Sequence, residues 1–303
     1  MFIIHIVNPN NTRFVAFPFD ILYLVFIVIF IPLFSILVIR ERRRIEKGRI
    51  SFEEIRTRSK ILPLKYDIYR KLTHLVVLGI IFFYFTLGFL VQNVFIYISE
   101  FLPNFLVEMF DMGDDIMIFT QNLVVFLVGV SLIGLLTADF TRIFIPKYYP
   151  LKPVNQILKE KELNMMFGPH ISMSIGCFSI ILLYGHIQPI GPLIICTSMA
   201  MSVFGDTASN LFGRTFGKRQ IRDTDKTYEG LFAGIIVAFI SGVIILLILR
   251  DFYMPKHFGL FLIPILGAGI IGFIDYIDLE IDDNLTYNFV LSTVLFFSLI
   301  LLF

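Results

Sequence analysis

From Gly205 to Gly234 the chain reads GDTASNLFGRTFGKRQIRDTDKTYEGLFAG, where glycines, acids and bases crowd between two long apolar runs. Ionisable groups kept beside hydrocarbon are costly and tend to mark function. Asp206 follows Gly205, and Ala208, Ser209 and Gly213 offer a small-residue face through which a helix or a nucleotide can approach. Gly213 and Gly217 form a G-x-x-x-G pattern that in lipid is often plain helix packing. Arg214 inside it, with Lys218 and Arg219 after it, shifts the reading toward an anion. Lys226, Thr227, Glu229 and Gly230 then precede the next apolar run. Thr227 is positioned to cap that helix, whose free amides and positive end would face an anion. These types in this order suit phosphate binding, with Lys226 supplying the charge.

Three more polar clusters sit at the ends of apolar runs. Arg70, Lys71 and His74 open the second run, and Arg70 and His74, four apart, share a helix face. The two bases alone would read as interfacial anchors, but an imidazole one turn inside the boundary calls for a polar partner. Asp139 and Arg142 close the third run with the spacing of a helical ion pair, suited equally to a structural or an active-site role. Gly168, Pro169 and His170 begin the fourth run, and His170 reads as structural. Asp282, Asp283 and Asn284 lead into the last run after Asp275, Asp278 and Glu280. Carboxylates this dense, with no base among them, repel unless hydrated or bound to a cation. Mg²⁺ takes carboxylate, phosphate and water oxygens, so acids facing a phosphate cradle suit it; a solvated acidic loop is the alternative.

The elements that must position these groups are membrane helices. Hydrophobic residues make up 57% of the 303 and charged residues 16%, against ~25% charged in soluble domains. Runs able to cross ~30 Å of hydrocarbon as a helix lie near 18–39, 73–95, 119–137, 171–188, 190–206, 231–249, 258–276 and 286–303. Basic loops stay cytoplasmic. If Arg40 to Lys71 is cytoplasmic, alternation puts 138–170, 205–230 and 277–285 on that side too, which holds every Lys and Arg except Arg13, Arg250 and Lys256. Glu100, Glu108, Asp111, Asp114 and Asp115 then fall in an outer loop, and both termini face outward. The first run, followed by Arg40, Arg42, Arg43 and Arg44 with no small-residue cleavage site, reads as a retained anchor rather than a signal peptide.

A formal net charge of +1 argues against nucleic acid as a partner, and the basic patch after the first run reads as a topology signal beside anionic headgroups. Cys177 and Cys196 lie in apolar runs without metal or redox spacing. Ser51 ahead of Glu54 has capping-box spacing, predicting a short helix over 51–60. The expected architecture is an all-α integral membrane protein of about eight spans. It has an anchor and basic loop over 1–69, a polytopic catalytic domain over 70–303, and its polar site at the cytoplasmic face of the endoplasmic reticulum or a prokaryotic plasma membrane.

Together these residues resemble the CTP-dependent lipid kinases of the dolichol kinase and phytol kinase family, which includes the CTP-dependent diacylglycerol kinase. The resemblance covers about 70 to 303. It is most specific at G-D-x-A-S-x-x-x-G-R-x-x-G-K followed by K-T-x-E-G, with R-K-x-x-H at Arg70 to His74, D-x-x-R at Asp139 to Arg142 and D-D-N-L at Asp282 to Leu285. Where the family often has proline after D-D-N-L, this chain has Asn288. The resemblance implies transfer of the terminal phosphate of CTP to a membrane lipid alcohol. It makes Lys226, supported by Arg214 and Lys218, the triphosphate's counter-charge. Asp206 with Asp282 or Asp283 becomes the Mg²⁺ site, and one of these acids or His74 the base. Gly205, Ser209, Gly213, Gly217, Thr227, Glu229, Gly230, Arg70, Lys71, Asp139, Arg142 and Asn284 would complete the nucleotide site. The G-D and K-T-x-E-G elements also resemble phosphatidate cytidylyltransferases, but the tail lacks their S-x-x-K-R, K-D and His-Gly-Gly signature. A cation-coupled transporter is the alternative from another class. Transporters place charge near the midplane, whereas here it gathers at one face.

Overall fold

The computed structural model describes residues 19–47, 64–104, 116–158, 163, 167–187, 190–222, 224–249, 259–277 and 283–302. Asp278, Glu280, Asp282, most of the acidic outer loop and the helix expected over 51–60 lie outside the described residues. Among the described residues the chain is helical, with one isolated antiparallel bridge between Gln220 and Thr227. Six helices are long and apolar enough to cross a membrane, and three more apolar helices are shorter. The protein is an all-α, multi-pass integral membrane protein.

Helix α1 (Phe19–Glu46) lies at the edge. Its Tyr23 hydroxyl donates to the Val125 carbonyl at 2.6 Å, and Phe19 meets Phe119, while most of its apolar side chains face outward. The second predicted span is broken into α2 (Leu64–Thr73), α3 (Val76–Phe82), a π-helical turn (Phe83–Leu87) and α4 (Gly88–Ser99). At the first break, His74 and Leu75 donate to carbonyls three residues back, at 3.0 and 3.1 Å. That tightening by one residue swings the helix at His74. The π turn relaxes it again near Gly88, where an added methyl would stand 2.5 Å from the Thr120 side chain, so glycine there lets α5 (Ile116–Phe144) come close.

Helix α6 (Pro169–Tyr184) is short, and α7 (Ile190–Phe216) is the axis of the molecule. Leu193, Ile194, Ile195, Met199 and Met201 are fully enclosed on it, since α6, α8 (Tyr228–Ile248), α9 (Gly259–Ile277) and α10 (Asp283–Leu302) all pack against it. A helix apolar all round belongs in such a centre. The sequence reading closes its fifth span at Asp206 and starts a loop there, and this is corrected: α7 continues for ten residues more. Its 27 residues reach about 40 Å at ~1.5 Å per residue, longer than the hydrocarbon, so its last turns carry Gly205, Asp206, Ser209, Gly213 and Arg214 at and beyond the membrane boundary as helical residues.

Candidate active site

The polar residues at the end of α7 are reached by four other segments. Asp206, buried on α7, accepts from the Lys71 ammonium of α2 and from the Asn210 amide at 2.6 Å. His74, at the break between α2 and α3, is 2% exposed and puts Nδ1 4.0 Å from Asp206 Oδ2. Among the described residues neither of its ring nitrogens has a hydrogen-bond partner. A buried imidazole needs a polar partner, which a water or a ligand can supply. Arg70 pairs with Asp67 at 3.1 Å, and Arg214, projecting from α7, reaches the same aspartate at 2.7 Å.

A second set adjoins the first. After α7 the chain folds back on itself: Ile221 donates to the Lys226 carbonyl at 2.8 Å and Tyr228 to the Arg219 carbonyl at 3.0 Å. Arg222 at the tip takes a left-handed backbone (φ 53°) and lays its guanidinium 4.7 Å over the Tyr276 ring at the end of α9. A bulky residue in that region carries strain, which the stacking and the enclosed Ile221 help hold. The fold-back aims Lys226 between Asp275 on α9, at 2.9 Å, and Asp283 on α10, at 3.1 Å. Asp275 also accepts from the Tyr287 hydroxyl and from Ser209 at 3.0 Å. Both sets lie within electrostatic reach of one another, Asp283 sensing Lys226, Asp206 and Asp275. Arg70, Lys71, Arg214 and Lys226 thus stand against Asp67, Asp206, Asp275 and Asp283 in one cluster.

Thr227 caps α8, its hydroxyl accepting from the Gly230 amide at 3.2 Å. The amides of Lys218 and Arg219 are engaged as well, donating to the Glu229 carboxylate at 3.1 and 3.3 Å. The glycines form a seam between α7 and α8. A methyl added at Gly230 would stand 2.6 Å from the Ser209 carbonyl oxygen, and one at Gly205 would stand 3.0 Å from the Ala238 methyl. Gly213 faces Thr227 and Gly230, and Gly217 also abuts Thr227. The Lys218 side chain is exposed, and Asn284 falls in the first turn of α10.

Asp139 and Arg142 form a buried pair at 2.6 Å, and Asp139 also accepts from the Gly168 amide at 3.0 Å, tying the end of α5 to the start of α6. Tyr149 lies enclosed within electrostatic reach of this pair, and burial pushes its phenol up to about 12, with the Asp139 charge adding to the rise. Asp275 is the main residue that the sequence reading groups with the acids before the last run, without a role of its own. It is instead the buried hub of the second set, and the signal was its position directly after the apolar run GAGIIGFI. Asp67, Asn210 and Tyr287 went unremarked, although Asp67 stands three residues before Arg70 as a helical ion pair requires.

Among the described residues no three metal-ligating side chains gather. Mg²⁺ needs fewer, since it binds through one or two carboxylates together with phosphate and water, and the Asp206 and Asp283 carboxylates are donors of the right kind.

A family model described as the cytidylyltransferase family matches residues 68–302. The chain belongs to that family. Cytidylyltransferase-family membership makes it a member of a lipid-related, nucleotide-using group of membrane transferases. The match takes in Arg70, Lys71, His74, Asp206, Lys226, Asp275 and Asp283 and leaves out α1. No curated protein and no solved structure matches the chain.

Proposed function

We propose that the chain is a CTP-dependent kinase that phosphorylates the hydroxyl of a membrane lipid alcohol at the cytoplasmic face. A polyprenol-type alcohol is the first candidate, followed by phytol and diacylglycerol. Residues 70–303 are the catalytic membrane domain in this reading, with 1–69 an anchor helix and basic loop. The observation that carries it is Lys226 held between Asp275 and Asp283, with Asp206 within electrostatic reach of Asp283 and His74 4.0 Å from Asp206. Lys226 can exchange its carboxylate partners for the incoming triphosphate, with Arg214 and Lys71 adding charge. Asp206 and Asp283, with Asp282, would hold Mg²⁺, which when bound neutralises phosphate oxygens.

Phosphoryl transfer asks little covalent chemistry of a protein beyond alignment, cations and a proton acceptor. The lipid hydroxyl loses its proton to His74 or to one of the carboxylates. Its oxygen forms a bond to the terminal phosphorus, and the bond from that phosphorus to the bridging oxygen breaks, releasing CDP. The substrate's tail stays in lipid while its hydroxyl meets the nucleotide at the boundary.

Family membership favours a second reading, a CTP:phosphatidate cytidylyltransferase making CDP-diacylglycerol through the same triphosphate site. The missing S-x-x-K-R, K-D and His-Gly-Gly signature ranks it second. Purified protein is incubated with Mg²⁺ and CTP labelled separately on its terminal and innermost phosphates, and polyprenol, phytol, diacylglycerol and phosphatidate are offered in turn. Terminal label in an alcohol is the expected result and names the substrate. Innermost label in phosphatidate would replace the kinase by the cytidylyltransferase, and transfer to none of the four would overturn both and favour a transporter.

A further inference from the structure

The last turns of α1 carry a feature that neither the catalytic cluster nor the family match takes in. Ile36, Ile39, Arg40, Arg43, Arg44 and Lys47 recur at three- and four-residue spacing, so they share one face, and they line an open cavity of about 560 Å³. The acids of this segment are drawn elsewhere. Glu41 is buried and bonded to Lys152 at 2.6 Å, and among the described residues it meets the cavity's bases through Arg44 at 3.9 Å. Glu46 is paired with Arg42 at 2.8 Å, and Arg42 itself lies 5.7 Å over the Tyr148 ring. Among the described residues, Arg40, Arg43 and Lys47 have no acidic partner.

Depth fixes what meets these bases. The helix is uncharged from Ile21 to Ile39, about 28 Å at ~1.5 Å per residue, close to the ~30 Å of the hydrocarbon. Ile36 and Ile39 therefore end at the top of the acyl chains, and the four bases stand at the level of lipid phosphates. Arg42 apart, the bases of this stretch line one open cavity together with Ile36 and Ile39. We propose that the cavity binds the phosphate of an anionic membrane phospholipid, with its first acyl carbons against Ile36 and Ile39. The site neighbours the catalytic cluster, since Lys152 begins the 3₁₀ turn Lys152–Ile157 that packs on α2, the helix of Arg70 and Lys71.

The test uses the full chain in phosphatidylcholine nanodiscs doped with phosphatidylglycerol, with retained lipid counted by native mass spectrometry. Wild type should retain phosphatidylglycerol preferentially, and Arg40→Gln/Arg43→Gln/Lys47→Gln should lose about a hundredfold of that preference, taking each base at the strength usual beside an anionic surface. Arg43→Gln alone, which leaves the other bases to hold topology, should lose about fivefold. Arg42→Gln, whose side chain is engaged outside the cavity, should lose nothing. Equal retention by wild type and the triple variant would overturn the proposal, as would equal losses in Arg42→Gln and Arg43→Gln, which would mean diffuse attraction. Displacement of the lipid by millimolar inorganic phosphate would overturn the lipid assignment in favour of a free-phosphate site.

Discussion

Lys226 is shared by two carboxylates from different helices, Asp275 and Asp283. Its side chain is 23% exposed whereas Asp275 is 5% exposed, so the lysine can be met from water while its partner cannot. Lys226→Ala should lower phosphate transfer by about a hundredfold or more per folded molecule, the loss usual when a group aimed at developing charge is removed. Because the substitution also strips the counter-ion from the enclosed Asp275, melting temperature is measured alongside, and Lys226→Arg, which keeps the charge, should retain the fold. Turnover near wild type in folded Lys226→Ala would remove the lysine from the reaction. At this scale the sequence showed Asp206, Lys226, His74 and the Asp139–Arg142 pair, because charge beside an apolar run stands out. It did not show that Asp275 belongs to Lys226 rather than to its acidic neighbours. That pairing joins residues 49 apart, one in the fold-back before α8 and one on α9, and only packing brings them together.

Helices α7 and α8 approach along Gly205, Gly213, Gly230 and Gly234, which is what aligns Ser209 with Asp275 and seats Thr227 over Gly213. Gly230→Ala would place a methyl 2.6 Å from the Ser209 carbonyl oxygen and 3.0 Å from Gly213 Cα. Both are backbone atoms that cannot rotate aside. The helices must separate, which costs about 1–3 kcal/mol as other overpacked cores do, and transfer should fall with stability. Gly79→Ala offers the contrast, since nothing lies within 4 Å of the added methyl and alanine is the better helix former by up to about 1 kcal/mol. Thermal unfolding in detergent should therefore lower the midpoint for Gly230→Ala and hold or raise it for Gly79→Ala; the reverse order would refute the seam. The G-x-x-x-G spacing was legible in the sequence, but it was set against the neighbouring bases as if the two readings competed. On one helix both occur, the glycines facing α8 while Arg214 projects toward Asp67. Apolar periodicity gave the helices, whereas the break at His74 and the extension of α7 past Asp206 depend on tertiary partners that hydropathy does not record.

Across the whole molecule, every group of the cluster lies at the same end of its helix bundle. Arg70 and Lys71 sit before the His74 break, Asp206 and Arg214 toward the end of α7, Asp275 at the end of α9 and Asp283 at the start of α10. The bases Arg142, Arg214, Lys218, Arg219, Arg222 and Lys226 are at or follow that end of their helices, so retention of basic segments on the cytoplasmic side predicts a cytoplasmic site that soluble CTP can reach without crossing the bilayer. Cysteine labelling tests this directly, because Cys177 and Cys196 are both buried and give little background. Lys147, Lys218 and Glu100 are exposed, and single cysteines there should separate by side. With the protein in the plasma membrane of bacterial spheroplasts, a membrane-impermeant maleimide should label Glu100→Cys at once. Lys147→Cys and Lys218→Cys should react only after permeabilisation. Lys218→Cys labelled from outside together with Glu100→Cys would mean that an even number of crossings separates the two, in place of the three expected from Ile116–Phe144, Pro169–Tyr184 and Ile190–Phe216. The cluster would then face away from the cytoplasmic nucleotide pool, and the assignment to a CTP-dependent enzyme would fall with the topology.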